Sequence, residues 1–196
     1  MKGYTNKTEI ENYLLISIDA SFDDQVTRWI EDVEAYIDNL TGRSFIAEST
    51  ASAKYYDGDN TTTLLIDDCV AITEVKISTD APLSKGVTGV DDDYYIYPNN
   101  ILPKTKIKLV NGSFPSWSPQ AIKVTAKWGY SVAVPGDIRH VATVLAAGII
   151  NYSLNADGEV KSMSIGRYTV TYKDEKQWQD FDRVSEVSKH YIKYII

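Results

Sequence analysis

Hydrophobic periodicity changes twice along this chain, and any fold it adopts must accommodate both changes. Within residues 21–42 the apolar side chains Phe22, Val26, Trp29, Ile30, Val33, Ile37 and Leu40 recur at helical spacing. Over residues 44–130 the pattern becomes short alternating runs, 53–58, 62–66, 72–77, 94–97, 107–110 and 121–128, separated by turn-rich gaps containing Pro, Gly and Asn. Helical spacing then returns with Ile138, Val141, Leu145 and Ile149, inside the stretch AKWGYSVAVPGDIRHVATVLAAG (126–148), which contains almost no reactive side chain. Helical segments thus enclose a β-rich one. The expected class is α+β: a discontinuous helical domain of residues 1–43 and 131–196, with residues 44–130 inserted as an antiparallel sandwich or small barrel.

Local signals refine the helical parts. Asn6 and Glu9 suit the start of a short helix with Ile10, Tyr13 and Leu14 on one face, and Ser21 with Asp24 resembles a capping box opening the long helix. Gly42 is placed to end that helix through a left-handed cap. The other face of the long helix holds Asp23, Asp24, Glu31, Asp32, Glu34 and Asp38, a pattern that reads first as a solvated surface. Pro135 and Asp137 suit the start of the next helix, while Ala142, Ala146, Ala147 and Gly148 thin its surface for close packing. Residues 164–172 alternate like one strand, and a last helix is expected from about Asp174, with Trp178, Phe181, Val184, Val187 and Tyr191 at helical spacing.

Charge narrows the partners. The chain of 196 residues has a formal net charge of −7, and three Lys/Arg face nine Asp/Glu within residues 1–42 alone. With no Lys/Arg cluster along the sequence, a grip on phosphates is not expected, because nucleic-acid affinity rests on cationic contacts that release counterions. Cys69 is the one cysteine, so no intramolecular disulfide can form, and a buried thiol is expected. No apolar run reaches the length of a membrane span, and the first residues lack a signal-peptide core, so a soluble protein beginning near Met1, with no membrane partner, is expected.

The search for chemistry returns mainly absences. His140 and His190 fall in helical segments without a metal-ligand pattern. The run 57–60 and the triplet 91–93 are acidic, but an EF-hand loop beginning at Asp57 would put Thr62 where glycine is required. Phosphate-binding glycine loops and the nucleophile-elbow motif are missing, and no cofactor and no enzymatic activity are expected. Tyr55, Tyr56, Tyr94, Tyr95 and Tyr97, with Trp117, could form an aromatic platform, although alternation turns one of each adjacent tyrosine pair inward.

The order of features resembles the head-to-tail connector, or head-completion adaptor, family of tailed double-stranded DNA bacteriophages. The matching pieces are YIDNLTGRSF (36–45), YYDG (55–58), LIDD (65–68), YPNN (97–100), WGY (128–130), PGDI (135–138) and IGRYTV (165–170). The resemblance implies a non-enzymatic virion protein of the neck, made in the host cytoplasm. It would form a homo-oligomeric ring, typically dodecameric, beneath the portal protein, completing the DNA-filled head and presenting a surface to the next neck or tail-completion protein. Double-stranded DNA would pass through without specific binding. In that setting Asp23, Glu31 and Asp38 are expected to line the DNA channel and repel its phosphates. Tyr191, Tyr194, Ile195 and Ile196, an unusually apolar chain end, are expected to dock on the portal or a neighbouring subunit. The alternative is a glycan- or protein-binding β module of a tail-side virion protein.

Overall fold

The computed structural model describes residues 1–78, 83, 93–154, 161–165, 168–172, 187 and 189–192, and within these the chain forms two compact units, residues 1–45 with 134–196 and residues 46–133. Asn6 caps helix α1 (Lys7–Leu14) by accepting the Glu9 amide at 2.9 Å, which satisfies a donor that no intrahelical carbonyl can reach. Helix α2 (Asp23–Thr41) begins differently from the expectation. A 3-10 turn at Ala20–Phe22 precedes it, and the capping side chain is Asp19, which accepts the Ser21 amide at 2.8 Å. The tighter turn moves the first orphan donors two residues upstream of the expected box, and Ser21 supplies the amide instead of the cap. Side-chain and backbone hydrogen bonds from Ser21 hold the Asp19 carboxyl below its ordinary range. Gly42 ends α2 in the left-handed region, at φ +67°, and donates to the Asp38 carbonyl at 2.8 Å.

Helix α3 (Gly136–Leu154) is buried on more sides than the single stripe read from its sequence. Every residue from Val141 to Ile150 is buried, because α1, α2 and the strand β7 (Tyr168–Tyr172) all pack on it. Its alanines and Gly148 make this possible: small side chains let several elements approach one helix at once. Val26, Ile30, Val33 and Ile37 form the buried face of α2, while Phe22 and Leu40 at its ends are exposed. Residues 164–172 differ from expectation as well. They contribute to two antiparallel strands, β6 (Lys161–Ile165) and β7, with Ile165 opposite Tyr168. Both strands share the same period-two spacing, so periodicity alone does not separate them. Of the last helix, Val187, Lys189, His190 and Tyr191 are helical; Asp174, Trp178, Phe181 and Val184 lie outside the described residues.

The second unit is one five-stranded antiparallel sheet in the order β1-β5-β2-β4-β3, built from β1 (Ser52–Tyr56), β2 (Thr63–Ile77), β3 (Tyr94–Tyr97), β4 (Lys104–Leu109) and β5 (Ile122–Trp128). The long β2 gives its first half to β4 and its second half to β5, with bulges between Leu65 and Cys69 and at two points between Cys69 and Glu74. Bulges increase strand twist, and here they turn one strand between two partners. The alternating side chains Ile122, Val124, Ala126 and Trp128 of β5 all enter the core, with Leu64, Ile66, Val75, Ile107 and Phe114. Trp128 also donates its indole N–H to the Ser52 carbonyl at 2.9 Å.

Cys69 lies fully buried in this core. Burial, then the Asp68 charge, pushes its thiol up to about 12. Since the thiolate is the nucleophile, the folded protein should resist alkylation at neutral pH and react once unfolded; rapid labelling of the native protein at the rate of a free thiol would contradict this burial. The sign for stability follows: the contribution of the neutral thiol is complete below the ordinary value of 9.0 and is lost as pH rises toward about 12.

Candidate functional site

The acidic side of α2 receives the first residues of the chain. Glu34 falls in phase with Ile30, Ile37 and Thr41 and is only 2% exposed. Its carboxylate accepts three consecutive backbone amides, from Lys2 at 2.5 Å, Gly3 at 2.6 Å and Tyr4 at 2.9 Å. The expectation that Glu34 belongs to a solvated face is therefore corrected: a buried carboxylate is tolerated because charge-assisted hydrogen bonds replace its water. One turn on, Asp38 accepts the Tyr4 hydroxyl at 2.5 Å and pairs with Lys2. The same hydroxyl accepts the Phe45 amide at 2.7 Å. Burial, then Asp38, raises the Tyr4 phenol well above its ordinary value, so it remains a donor.

The three residues expected at a DNA channel thus share the helix side that faces residues 1–7. Asp23 pairs with Lys7 at 2.5 Å, Glu31 with the Met1 amine at 3.1 Å, and Asp38 with Lys2. Each carboxylate has a cation of its own chain beside it. Of the four residues expected to dock, Tyr191 packs edge-on against Phe45 with ring centroids 5.2 Å apart, donates to Asp137 Oδ2 at 2.7 Å, and accepts Arg43 Nε at its carbonyl at 2.8 Å. That ring is engaged within its own unit. Tyr194, Ile195 and Ile196 lie outside the described residues, as do Asp91 and Asp92.

On the β unit, alternation assembles a surface that the linear sequence does not display. Leu65 stands opposite Lys106 and Thr63 opposite Lys108, while Tyr97 and Tyr95 complete the two rows from β3. The inward neighbours Leu64, Ile107 and Leu109 are buried, so these rows face outward. Lys106 Nζ lies 5.4 Å from the Tyr97 ring centre, and among the described residues neither Lys106 nor Lys108 meets a carboxylate. By contrast, Lys76 and Lys123 bracket Glu74 at 3.1 and 3.5 Å and, with hydrogen bonding from Lys76 foremost, hold its carboxyl below the usual range. The run KTKIKL is a period-two lysine pattern, and that signal could have revealed the cationic face.

The tyrosines do not form one platform. Tyr55 and Tyr95 are exposed while Tyr94 is buried and Tyr56 half-buried, and Tyr55 and Tyr95 lie on the two opposite edge strands of the sheet. Among the described residues no group of three or more His, Cys, Asp or Glu side chains could hold a metal ion, and no helix is long and apolar enough to cross a membrane. His140 sits edge-on to Tyr13 at 6.4 Å. The prominent features are surfaces and a buried clasp.

A helical unit interrupted in sequence by an antiparallel β unit is the class of fold these elements define. The same fold occurs in solved particle structures. A chain from the neck of an empty GTA particle computed with C6 symmetry matches all of this chain and 92% of its own length, with a TM-score of 0.56 and 16% identity. A chain from the virion of a native gene transfer agent (GTA) particle matches with the same coverage, a TM-score of 0.58 and 14% identity. A third, from the neck of a native GTA particle computed with C12 symmetry, has a TM-score of 0.50 and 14% identity over 96% of this chain and 88% of its own. No family model and no curated protein sequence matches the chain.

Proposed function

We propose that this chain is a structural component of the neck of a phage-like particle, forming a homo-oligomeric ring beneath the portal that completes the DNA-filled head and receives the next neck or tail protein. The observation that carries the reading is the likeness over the whole chain to chains from a GTA particle neck and from a GTA virion, which spans both the helical unit and the β insertion and nearly all of the matched chains. Their six-fold and twelve-fold settings fit a ring. On this reading the role is non-enzymatic. Double-stranded DNA would pass through the ring without specific binding.

Co-sedimentation with DNA-filled heads that carry portals but lack this protein tests the proposal. Binding should saturate at one ring of copies per head, and heads without portals should bind none. Absence of binding by the folded protein to intact heads would overturn the head-completion role.

A further inference from the structure

Two apolar surface patches of opposite charge lie on different parts of this chain. The first is the connection from α1 to α2. Leu15 is 90% exposed and adopts the left-handed region, at φ +55°, as the C-cap of α1. Glycine is the usual residue there, since a side chain adds strain, yet this chain presents a leucine to solvent. Ile16 and Phe22 are also exposed, flanked by Asp19, Asp24 and Asp23, the last already paired with Lys7 at 2.5 Å. The second patch is the outward face of β2, β4 and β3, where Leu65 is 62% exposed and Tyr95 is exposed beside Lys106 and Lys108. Ile101 and Leu102, in the connection between β3 and β4, are exposed as well.

We propose that the Lys106/Lys108 face of one copy docks on the α1–α2 connection of the next copy, apolar residues against apolar residues and lysines against aspartates. The proposal rests on the ring reading above and supplies its subunit contact. A closed ring requires a heterologous interface, in which two different patches on one chain complement each other, and these patches match in both polarity and charge. Nucleic acid is the less fitting occupant. Phosphates would leave Leu65, Ile101 and Leu102 without an apolar partner, the face lacks the arginine that favours phosphate recognition, and the whole chain is at −7.

Sedimentation of the full chain over a range of protein and salt concentrations tests the contact with two variants. Leu15→Gly removes the exposed side chain and relieves the left-handed strain, so its melting temperature should equal or exceed that of the wild type. Lys106→Glu/Lys108→Glu reverses the charge of the other patch at outward-facing positions, Lys108 exposed and Lys106 half-buried. Wild type should self-associate more weakly as salt rises, and each variant should require at least about tenfold more protein to associate. A mixture of the two variants should form heterodimers and nothing larger, because each retains the one patch that the other has lost.

Wild-type association that survives in both variants would leave the ring reading standing and overturn this contact. If the wild type assembles only on heads, the variants are counted there: loss of bound copies sustains the contact, and unchanged occupancy overturns it. A wild type that associates neither in solution nor on heads would overturn the contact and the ring reading together. Binding of a short DNA duplex that Lys106→Glu/Lys108→Glu abolishes, with self-association unaffected, would assign the face to nucleic acid instead.

Discussion

Replacing Glu34 with alanine should destabilise the helical unit by about 1–3 kcal/mol, the range expected when buried donors lose their acceptor. The Lys2, Gly3 and Tyr4 amides would lose their common acceptor inside the protein. Glu34→Gln retains one carbonyl oxygen and should fall between wild type and alanine. Urea unfolding followed by helical circular dichroism measures the loss, and amide exchange at Gly3 and Tyr4 locates it. A change below about 1 kcal/mol in the alanine variant, within the scatter of surface substitutions, would mean that the clasp contributes little. The clasp has a structural consequence beyond stability, because it sets where residues 1–7 lie on α2 and so which carboxylates remain available to a neighbour.

Gly129→Ala should be comparably damaging, but to the β unit. Gly129 has φ +136°, and a Cβ there would stand 2.5 Å from the Ala47 Cα and 2.5 Å from the Ile46 carbonyl oxygen. Both atoms are backbone and are held in place: Ala47 donates to Ser131 at 2.8 Å and Glu48 to Trp128 at 2.8 Å. The chain passages that open and close the unit are hydrogen-bonded side by side at this glycine. Strained backbone and overpacking together predict a loss of about 2–4 kcal/mol. Cys69 labelling during partial denaturation reads this unit by itself, since the thiol lies in its core; unchanged protection in the alanine variant would contradict the account. The sparse chemistry of the WGY segment has a physical reason here. Its glycine serves close backbone approach, and Trp128 fills the core.

These cases show what the sequence could reveal. Asn6 and Gly42 were legible because capping depends on a few adjacent atoms, and β5 because its inward residues alternate without interruption. Glu34 reads as a surface residue because charge outweighs helical phase in the pattern; only the approach of residues 2–4, distant in sequence, makes a buried carboxylate tolerable there. Asp19 displaced Ser21 as the cap through a 3-10 turn, which leaves little trace in hydrophobic spacing. The cationic face is hard to read in the sequence because its lysines alternate with other residues along the chain and meet their neighbours only through strand register. Leu15 is illegible for a different reason: nothing in the sequence marks a single leucine as exposed, and its left-handed backbone is a property of the folded chain.

The central claim is a ring at the neck, and electron microscopy of complemented heads tests it most directly. Heads lacking this protein would be incubated with the purified chain and imaged at the portal vertex. The account predicts added ring-shaped density below the portal, absent from uncomplemented heads, into which the helical and β units can each be fitted. Bound protein scattered over the capsid, or a portal vertex unchanged by its addition, would contradict it.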